Sequence, residues 1–227
     1  MTVIDMTFDD APNETAAPRA YRAVERQTDR LSVIFFLPSA DGAPDLSRPR
    51  VIGAKTQYHK AIGTVISRTG TTGADEELWS EFEPPRTRYA TLVLRYPTNS
   101  EGRVSGDAAG IQILPWDFGE GTYKRLHDVS QQQRPSKMNL GSIDLYVRCS
   151  NTQKQHLEVA VAGPAIWRMK PDAQERLLLR ARALYGCVRV GRDVADAELR
   201  DRLGLPVQQV AAEPEQEIDY DDLMNQV

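Results

Sequence analysis

Alternating apolar and polar residues in the middle of the chain predict β-strands. Residues 87–97 alternate most clearly. Leu92 and Leu94 occupy the better core face of this strand, so Tyr89 and Arg95 lie on its other face. A turn-rich connection follows, and the next apolar run returns as a partner strand. Runs with strand character are residues 31–38, 50–67 (one bent strand or two), 111–116, 142–150 and 157–169.

Helix signals concentrate towards the C-terminal end. Residues 171–186 begin with Pro-Asp, keep a helical apolar spacing and close on a glycine, and residues 193–204 form a second helix. Shorter helices are predicted after Gly119 and Gly121 and within the loop 69–85. Residues 1–30 lack a stable apolar period and are predicted to be a flexible arm that ends in a short helix.

Together these elements predict a mainly β fold. Many short strands, curved by glycines such as Gly53 and Gly63, favour an OB-like five-stranded barrel with helical additions at the C-terminal end and an acidic tail. The predicted boundaries are a flexible N-terminal arm at 1–30, an OB-like core at 31–170, a helical extension at 171–205 and the acidic tail at 206–227.

Composition excludes several functional classes. The 227 residues contain no apolar run long enough to span a bilayer and begin with an acidic stretch rather than a secretory signal, so we expect a cytoplasmic protein without a membrane partner. The two cysteines, Cys149 and Cys187, have no metal-ligand spacing, and the three histidines are scattered, so no metal or other cofactor is expected. Phosphate-binding and nucleophile motifs are missing, so no residue is offered as catalytic.

Charge is segregated along the chain behind a formal net charge of −4. Residues 31–171 carry 17 basic and 14 acidic residues, whereas residues 172–227 carry 7 and 12. The last fifteen residues, 213–227, hold six acidic residues and no basic one. This distribution is typical of an electrostatic binding face with a competing acidic tail, and also of a solvated terminus that aids solubility.

Aromatic and basic residues interleave between positions 86 and 125. Single-stranded nucleic acid requires this mixture, because cations follow the phosphates while flat rings stack on bases of any identity. We therefore expect Tyr89, Trp116 and Tyr123 to stack on bases. The full set of candidate binding residues is Arg86, Arg88, Tyr89, Arg95, Trp116, Phe118, Tyr123, Lys124 and Arg125, with Lys137, Arg148 and Trp167 as second-rank candidates.

The stretches LSVIFFLP, RYATLVLRYPTNSEGRV and IQILPWDFGEGTYKRLHDV carry a family resemblance. One strand ends in Leu-Pro, an aromatic strand runs into a turn with Pro and Glu-Gly, and the next strand ends in Trp116, Phe118 and Gly119 before a helix. This order resembles the T-even-type bacteriophage single-stranded DNA-binding proteins. The resemblance covers roughly residues 31–130 plus the tail. It implies an OB-like fold that binds single-stranded DNA in phage replication, recombination and repair.

The resemblance also implies partners for the tail. The chain departs from the family in two respects. The tail would cover the DNA groove when DNA is absent and bind replication or recombination proteins, through Asp219, Asp221, Asp222, Leu223 and Met224. The family's zinc site uses a histidine and three cysteines in a compact segment, which this chain lacks. Its basic N-terminal motif for cooperative binding is also missing.

Two other functional classes remain open. One is a protein-interaction or virion-structural module, whose aromatic residues form a core and whose tail is an assembly signal. The other is a helix-turn-helix binder of duplex DNA that uses residues 193–210. The acidic character of the second helix there speaks against it, and a helix packed on the barrel is favoured.

Overall fold

The computed structural model describes residues 19–24, 27–99, 103–104, 110–151, 156–169 and 171–206. Within them the chain forms nine strands and four α-helices, with short 3-10 helices between them. The strands are β1 (Thr28–Val33), β2 (Phe36–Pro38), β3 (Pro44–Pro49), β4 (Ile52–His59), β5 (Gly63–Ile66), β6 (Arg86–Tyr96), β7 (Gln112–Gly119), β8 (Ile143–Asn151) and β9 (His156–Pro164). The helices are α1 (Glu76–Ser80), α2 (Glu120–Gln133), α3 (Pro171–Ala183) and α4 (Asp196–Leu203).

Seven strands form one antiparallel sheet around the long strand β6. The order is β5-β4-β6-β1-β8-β9, and β7 pairs with β6 as well. The first half of β6 pairs with β4 and its second half with β1, while β7 runs along its other edge. β2 and β3 form a separate two-stranded sheet. The strand-rich character is therefore confirmed, but no pairing among the described residues closes this sheet into a barrel.

Both faces of the sheet are buried, so the core extends beyond the Leu92 and Leu94 face, which alternation marks as the better core candidate. Leu92 packs with Phe36, Trp167 and Leu177 on one face, which we call the α3 face. Val93 is also fully buried, because α2 covers the opposite face, which we call the α2 face. Alternation along β6 separates the two faces but does not show that a helix lies over each of them.

The predicted flexible arm is wrong for its described part. Residues 19–24 lie against β7, where the Tyr21 amide donates to the Pro115 carbonyl at 2.7 Å. The Tyr21 ring is buried in the core of the α2 face, and β1 already begins at Thr28. No helix is present in residues 19–24. Tyr21 is therefore a core residue rather than part of an arm.

The helices lie close to their predicted positions. α2 follows Gly119, α1 occupies the predicted acidic loop, and α3 and α4 fall within the predicted C-terminal helices. α1 and α4 contact each other in a third apolar cluster around Leu78, Trp79 and Leu199. No helix within the described part of the chain is both long and apolar enough to cross a membrane.

Candidate nucleic-acid interface

Two tyrosines stack on each other at the edge of the α2 face. The Tyr89 and Tyr123 ring centroids are 4.0 Å apart, and their planes differ by only 5°. Tyr89 comes from β6 and Tyr123 from the first turn of α2, and both side chains are half-buried. Phe118 lies 6.2 Å from Tyr89 in a nearly parallel plane. We call Tyr89 and Tyr123 the tyrosine pair.

Gly53 makes room for the tyrosine pair. It lies opposite Tyr89 in the ladder between β4 and β6. A Cβ at this position would be 2.9 Å from Cδ1 and 3.0 Å from Cε1 of Tyr89, which is closer than real Cβ contacts allow. The absent side chain thus lets the Tyr89 ring lie over the neighbouring strand. The sequence pattern predicts that Gly53 allows its strand to curve. In the structure, Gly53 also provides the space that the ring of Tyr89 occupies.

Two lysines and a histidine flank the tyrosine pair. Lys55 follows Gly53 by two positions, so it lies on the same face of β4; it is exposed and makes no ion pair with any described residue. The Lys124 ammonium contacts Glu120 at 2.8 Å, and this hydrogen bond, with a smaller contribution from the nearby Tyr89, raises the pKa of Lys124. The exposed His127 ring lies 6.4 Å from Tyr123. Sequence reasoning missed Lys55, because nothing local ties it to Tyr89.

Three predicted aromatic binding residues are buried instead, which corrects their assignment. Trp116 and Phe118 are each 2% exposed within the core of the α2 face, and Trp167 is 0% exposed in the core of the α3 face. A base cannot stack on a ring that is covered on all sides. Tyr96, which the strand pattern assigns to the core, is 1% exposed as expected.

The predicted arginines do not share one surface. Arg95 donates two hydrogen bonds, at 2.9 and 3.1 Å, to Asp29, which is fully buried and also accepts from Tyr21 at 2.8 Å. Burial, followed by the charge of Asp29, raises the pKa of Tyr21. The charge of Arg95 is therefore balanced inside the protein, and the phosphate-binding role predicted for Arg95 is replaced by a structural one.

Arg86 and Arg88 belong to the opposite face from Tyr89, because their positions in β6 alternate with it. Arg86 is exposed and lies 3.5 Å from Glu83. Arg88 pairs with Asp117, which also pairs with Arg22. The remaining basic candidates come from other elements. Lys137 follows the 3-10 helix after α2, Arg148 lies exposed on β8, and Arg125 is half-buried on α2.

The segment proposed for helix-turn-helix binding is used for packing in its described part. Leu199 of α4 is fully buried against α1, and Arg200 donates to Asp75, Glu77 and the Pro206 carbonyl. The hydrogen bonds to Asp75 and, second, to Glu77 raise the pKa of Arg200. The second helix of that motif and the tail residues Asp219, Asp221, Asp222, Leu223 and Met224 lie outside the described residues.

In the described part of the chain, no group of three or more His, Cys, Asp or Glu side chains is close enough to hold a metal ion. Asp117 and Glu120 have different partners, since Asp117 binds arginines and Glu120 binds Lys124.

No protein-family model matches the chain. No curated protein matches it either.

Proposed function

We propose that this chain binds single-stranded DNA without strong sequence preference, in replication, recombination and repair of phage DNA. The observation that carries the proposal is the tyrosine pair. Two parallel rings at the solvent edge of a rigid sheet form a preformed stack that a base can extend, and each stacked base contributes about 1–3 kcal/mol. The OB-like relationship of the sheet belongs to the same proposal, as the resemblance implies it.

The charges around the tyrosine pair support the same function. Lys55 has no anionic partner among the described residues, and the exposed Lys124–Glu120 pair is weak enough in water for Lys124 to exchange its partner for a phosphate. A strand that stacks a base on Tyr123 would bring its phosphates within reach of both lysines, and binding would weaken as salt rises.

Oligonucleotide anisotropy tests the proposal directly. A labelled oligo-dT should bind the protein at 50 mM salt and much more weakly at 200 mM, while duplex DNA of equal length binds less tightly. Tryptophan quenching is a poor readout, because Trp79, Trp116 and Trp167 are all buried. No binding of oligo-dT at low salt, or tighter binding of the duplex, would refute the proposal. An RNA oligonucleotide in the same series reports the preference between the two nucleic acids.

Variants then locate the surface. Y89A and Y123A should each weaken oligo-dT binding by roughly tenfold, the loss of one stacked base. Y58A is the matched control, since Tyr58 is an exposed tyrosine of β4 whose position, five after Gly53, points to the opposite face. Normal binding by both Y89A and Y123A would show that DNA, if bound, uses another surface.

A protein-interaction module is the second candidate, and two observations favour it. Three of the five candidate aromatic residues are core residues, as that class requires. Met169 and Leu179 expose 60% and 71% of their surfaces around α3, where a protein partner could bury them. This class predicts partner association that the substitutions M169S and L179S abolish, together with no affinity for oligo-dT.

A further inference from the structure

The seven-stranded sheet ends in three edge strands, β5, β7 and β9, and the chain's own backbone contacts two of them. At β7, the Tyr21 amide donates to the Pro115 carbonyl at 2.7 Å. At β5, the Ile66 amide donates to the Arg192 carbonyl at 2.9 Å, and the Arg192 amide donates to the Thr64 carbonyl at 3.2 Å. An open edge presents a row of unpaired N–H and C=O groups, so each of these contacts removes part of such a row.

The third edge strand, β9, has no such cover among the residues that the structure describes. Its inner side pairs with β8, and no described residue outside β8 forms a backbone hydrogen bond with the strand. Sheets commonly protect an open edge with lysine, with proline or by keeping the strand very short. β9 is nine residues long, contains no lysine and has its one proline at the very end. Its outer edge can therefore accept a further strand.

The regular part of β9 is complementary to itself. It pairs residue for residue with β8 from Leu157 to Val161, and the register shifts on either side of this stretch. Two identical strands that are related by a two-fold axis pair antiparallel. An axis at Val159, the centre of the stretch, sets apolar Leu157 opposite apolar Val161. It sets Glu158, the one charged residue of the stretch, opposite the small Ala160, so like charges do not meet.

Both faces of β9 suit this pairing. Leu157 and Val159 pack against the core of the α2 face, which holds the strand in place. Glu158 and Ala160 are exposed on the other face, and Val161 is 37% exposed although it is apolar. A second copy would cover Val161 with its own Leu157, and the antiparallel sheet would continue from one copy into the other.

We propose that the β9 edge joins two copies of this chain into a symmetric dimer, by antiparallel pairing around Val159. A second copy is the occupant that the residues of β9 specify, because the strand meets its own apolar and charged positions without a like-charge pair. Backbone hydrogen bonds provide the attraction, and the side chains of residues 157–161 fix the register. The dimer does not depend on DNA binding, because the tyrosine pair and the lysines beside it belong to β4, β6 and α2.

Sedimentation velocity without DNA tests the dimer. The chain should sediment with twice the monomer mass and dissociate on dilution, and the protection of β9 amides from hydrogen exchange should rise with protein concentration. A monomer at every concentration up to the solubility limit overturns the proposal. In that case, protected β9 amides mean that another segment of the same chain covers the edge, and rapidly exchanging amides leave the edge to a different protein.

Variants at Ala160 test the register. A160E sets a carboxylate opposite Glu158 of the other copy, and the two-fold axis repeats this contact, so the dimer dissociation constant should rise roughly tenfold. A160Q is the matched control, because it has the same size without the charge and should keep the wild-type constant. The double variant E158A/A160E exchanges the two residues, so each carboxylate again meets an alanine and the dimer should form as in wild type.

Three results contradict this register. They are equal dissociation constants in wild type and A160E, a loss in A160Q as large as that in A160E, and failure of E158A/A160E to restore the dimer. Because positions 158 and 160 are exposed, the substitutions should leave the monomer folded, and melting temperatures measured under dilute conditions check this. A160E should bind oligo-dT as wild type does, which separates a failure of the dimer from a failure of the tyrosine pair.

Discussion

At the scale of single residues, Gly53 controls the tyrosine pair. In G53A the new Cβ would be 2.9 Å from Tyr89 Cδ1, so the ring must tilt away and lose its parallel stacking on Tyr123. We expect G53A to weaken oligo-dT binding by roughly tenfold, about the contribution of one stacked base. Fluorescence anisotropy at 50 mM salt measures the effect.

Gly121 is the matched control for this change. It lies at the start of α2, two residues before Tyr123, and no atom within 4 Å would meet its Cβ. G121A should leave DNA binding intact and stabilise the protein by about 0.5–1 kcal/mol, because alanine loses less conformational freedom in a helix. Equal binding by G53A and wild type, or a similar loss in G121A, would contradict the role given to Gly53.

Tyr96 is a second residue at which a single substitution should change the stability of the protein. Its buried hydroxyl lies 3.2 Å from Ser32 Oγ and accepts a hydrogen bond from the Trp167 amide at 3.2 Å, and burial raises its pKa. Y96F leaves that buried amide without an acceptor, which should cost about 1–3 kcal/mol of unfolding free energy. Urea denaturation measures the loss. Y58F, at an exposed ring, should change the free energy of unfolding by less than about 0.5 kcal/mol. Equal losses in Y96F and Y58F would argue against the hydrogen bond from the Trp167 amide to Tyr96.

At the scale of elements, Asp75 joins α1 to α4. Its carboxylate caps α1 by accepting from the Leu78 amide at 3.1 Å and also binds Arg200, and the Arg200 hydrogen bond lowers the pKa of Asp75. Because this pKa is lower in the folded chain than the value of about 3.9 in the unfolded chain, the stabilisation is complete above that pH. It is lost as the pH falls through the folded pKa.

The variant D75N tests this pH dependence. Asparagine keeps a capping oxygen but removes the charge that pairs with Arg200. Wild type should exceed D75N in stability at pH 7. The difference should shrink as the pH falls below about 4, where Asp75 of the unfolded chain begins to bind a proton, and vanish as the pH falls through the lower pKa of the folded chain. Urea midpoints of both proteins at pH 7, 5, 4 and 3 give the comparison. A difference that stays constant over this range would mean that the ion pair does not couple the two helices.

The sequence predicts the strands and helices more accurately than it predicts which of their surfaces are exposed. Alternation predicts β6 and its pairing with β7, because register and strand pattern are local. The sequence does not predict β3, because its prolines and Asp45 are typical of a turn. The burial of Trp116 could not be predicted, because it depends on α2 covering the face of the sheet on which Trp116 lies. A strand pattern tells which side chains share a face, but not which faces are covered.

At the scale of the whole molecule, long-range contacts decide which charges act together. Arg22 and Asp117 are separated by 95 positions in the chain and still share a hydrogen bond. No spacing rule could have linked these two residues. The same holds for Lys55, which joins the tyrosine pair only through the register between β4 and β6. The aromatic and basic residues that interleave between positions 86 and 125 therefore include residues from opposite faces of the sheet.

The acidic residues 213–227 give a prediction for the whole chain, although they lie outside the described residues. Their deletion removes six acidic residues and no basic one, which changes the formal net charge from −4 to +2. Carboxylates tethered to the protein compete with DNA at a high effective concentration. We expect the deletion to tighten oligo-dT binding, and more strongly at 50 mM than at 200 mM salt, because screening weakens the competitor as well.

A second variant separates the charge of this segment from its length. Replacing its six acidic residues by Asn and Gln should tighten oligo-dT binding as much as the deletion does, since only the charge competes with phosphate. If the deletion tightens binding and the neutral segment does not, the segment acts by occupying space rather than by its charge. Unchanged or weaker binding in both variants excludes competition and leaves attachment of a protein partner or a contribution to solubility as the role of this segment.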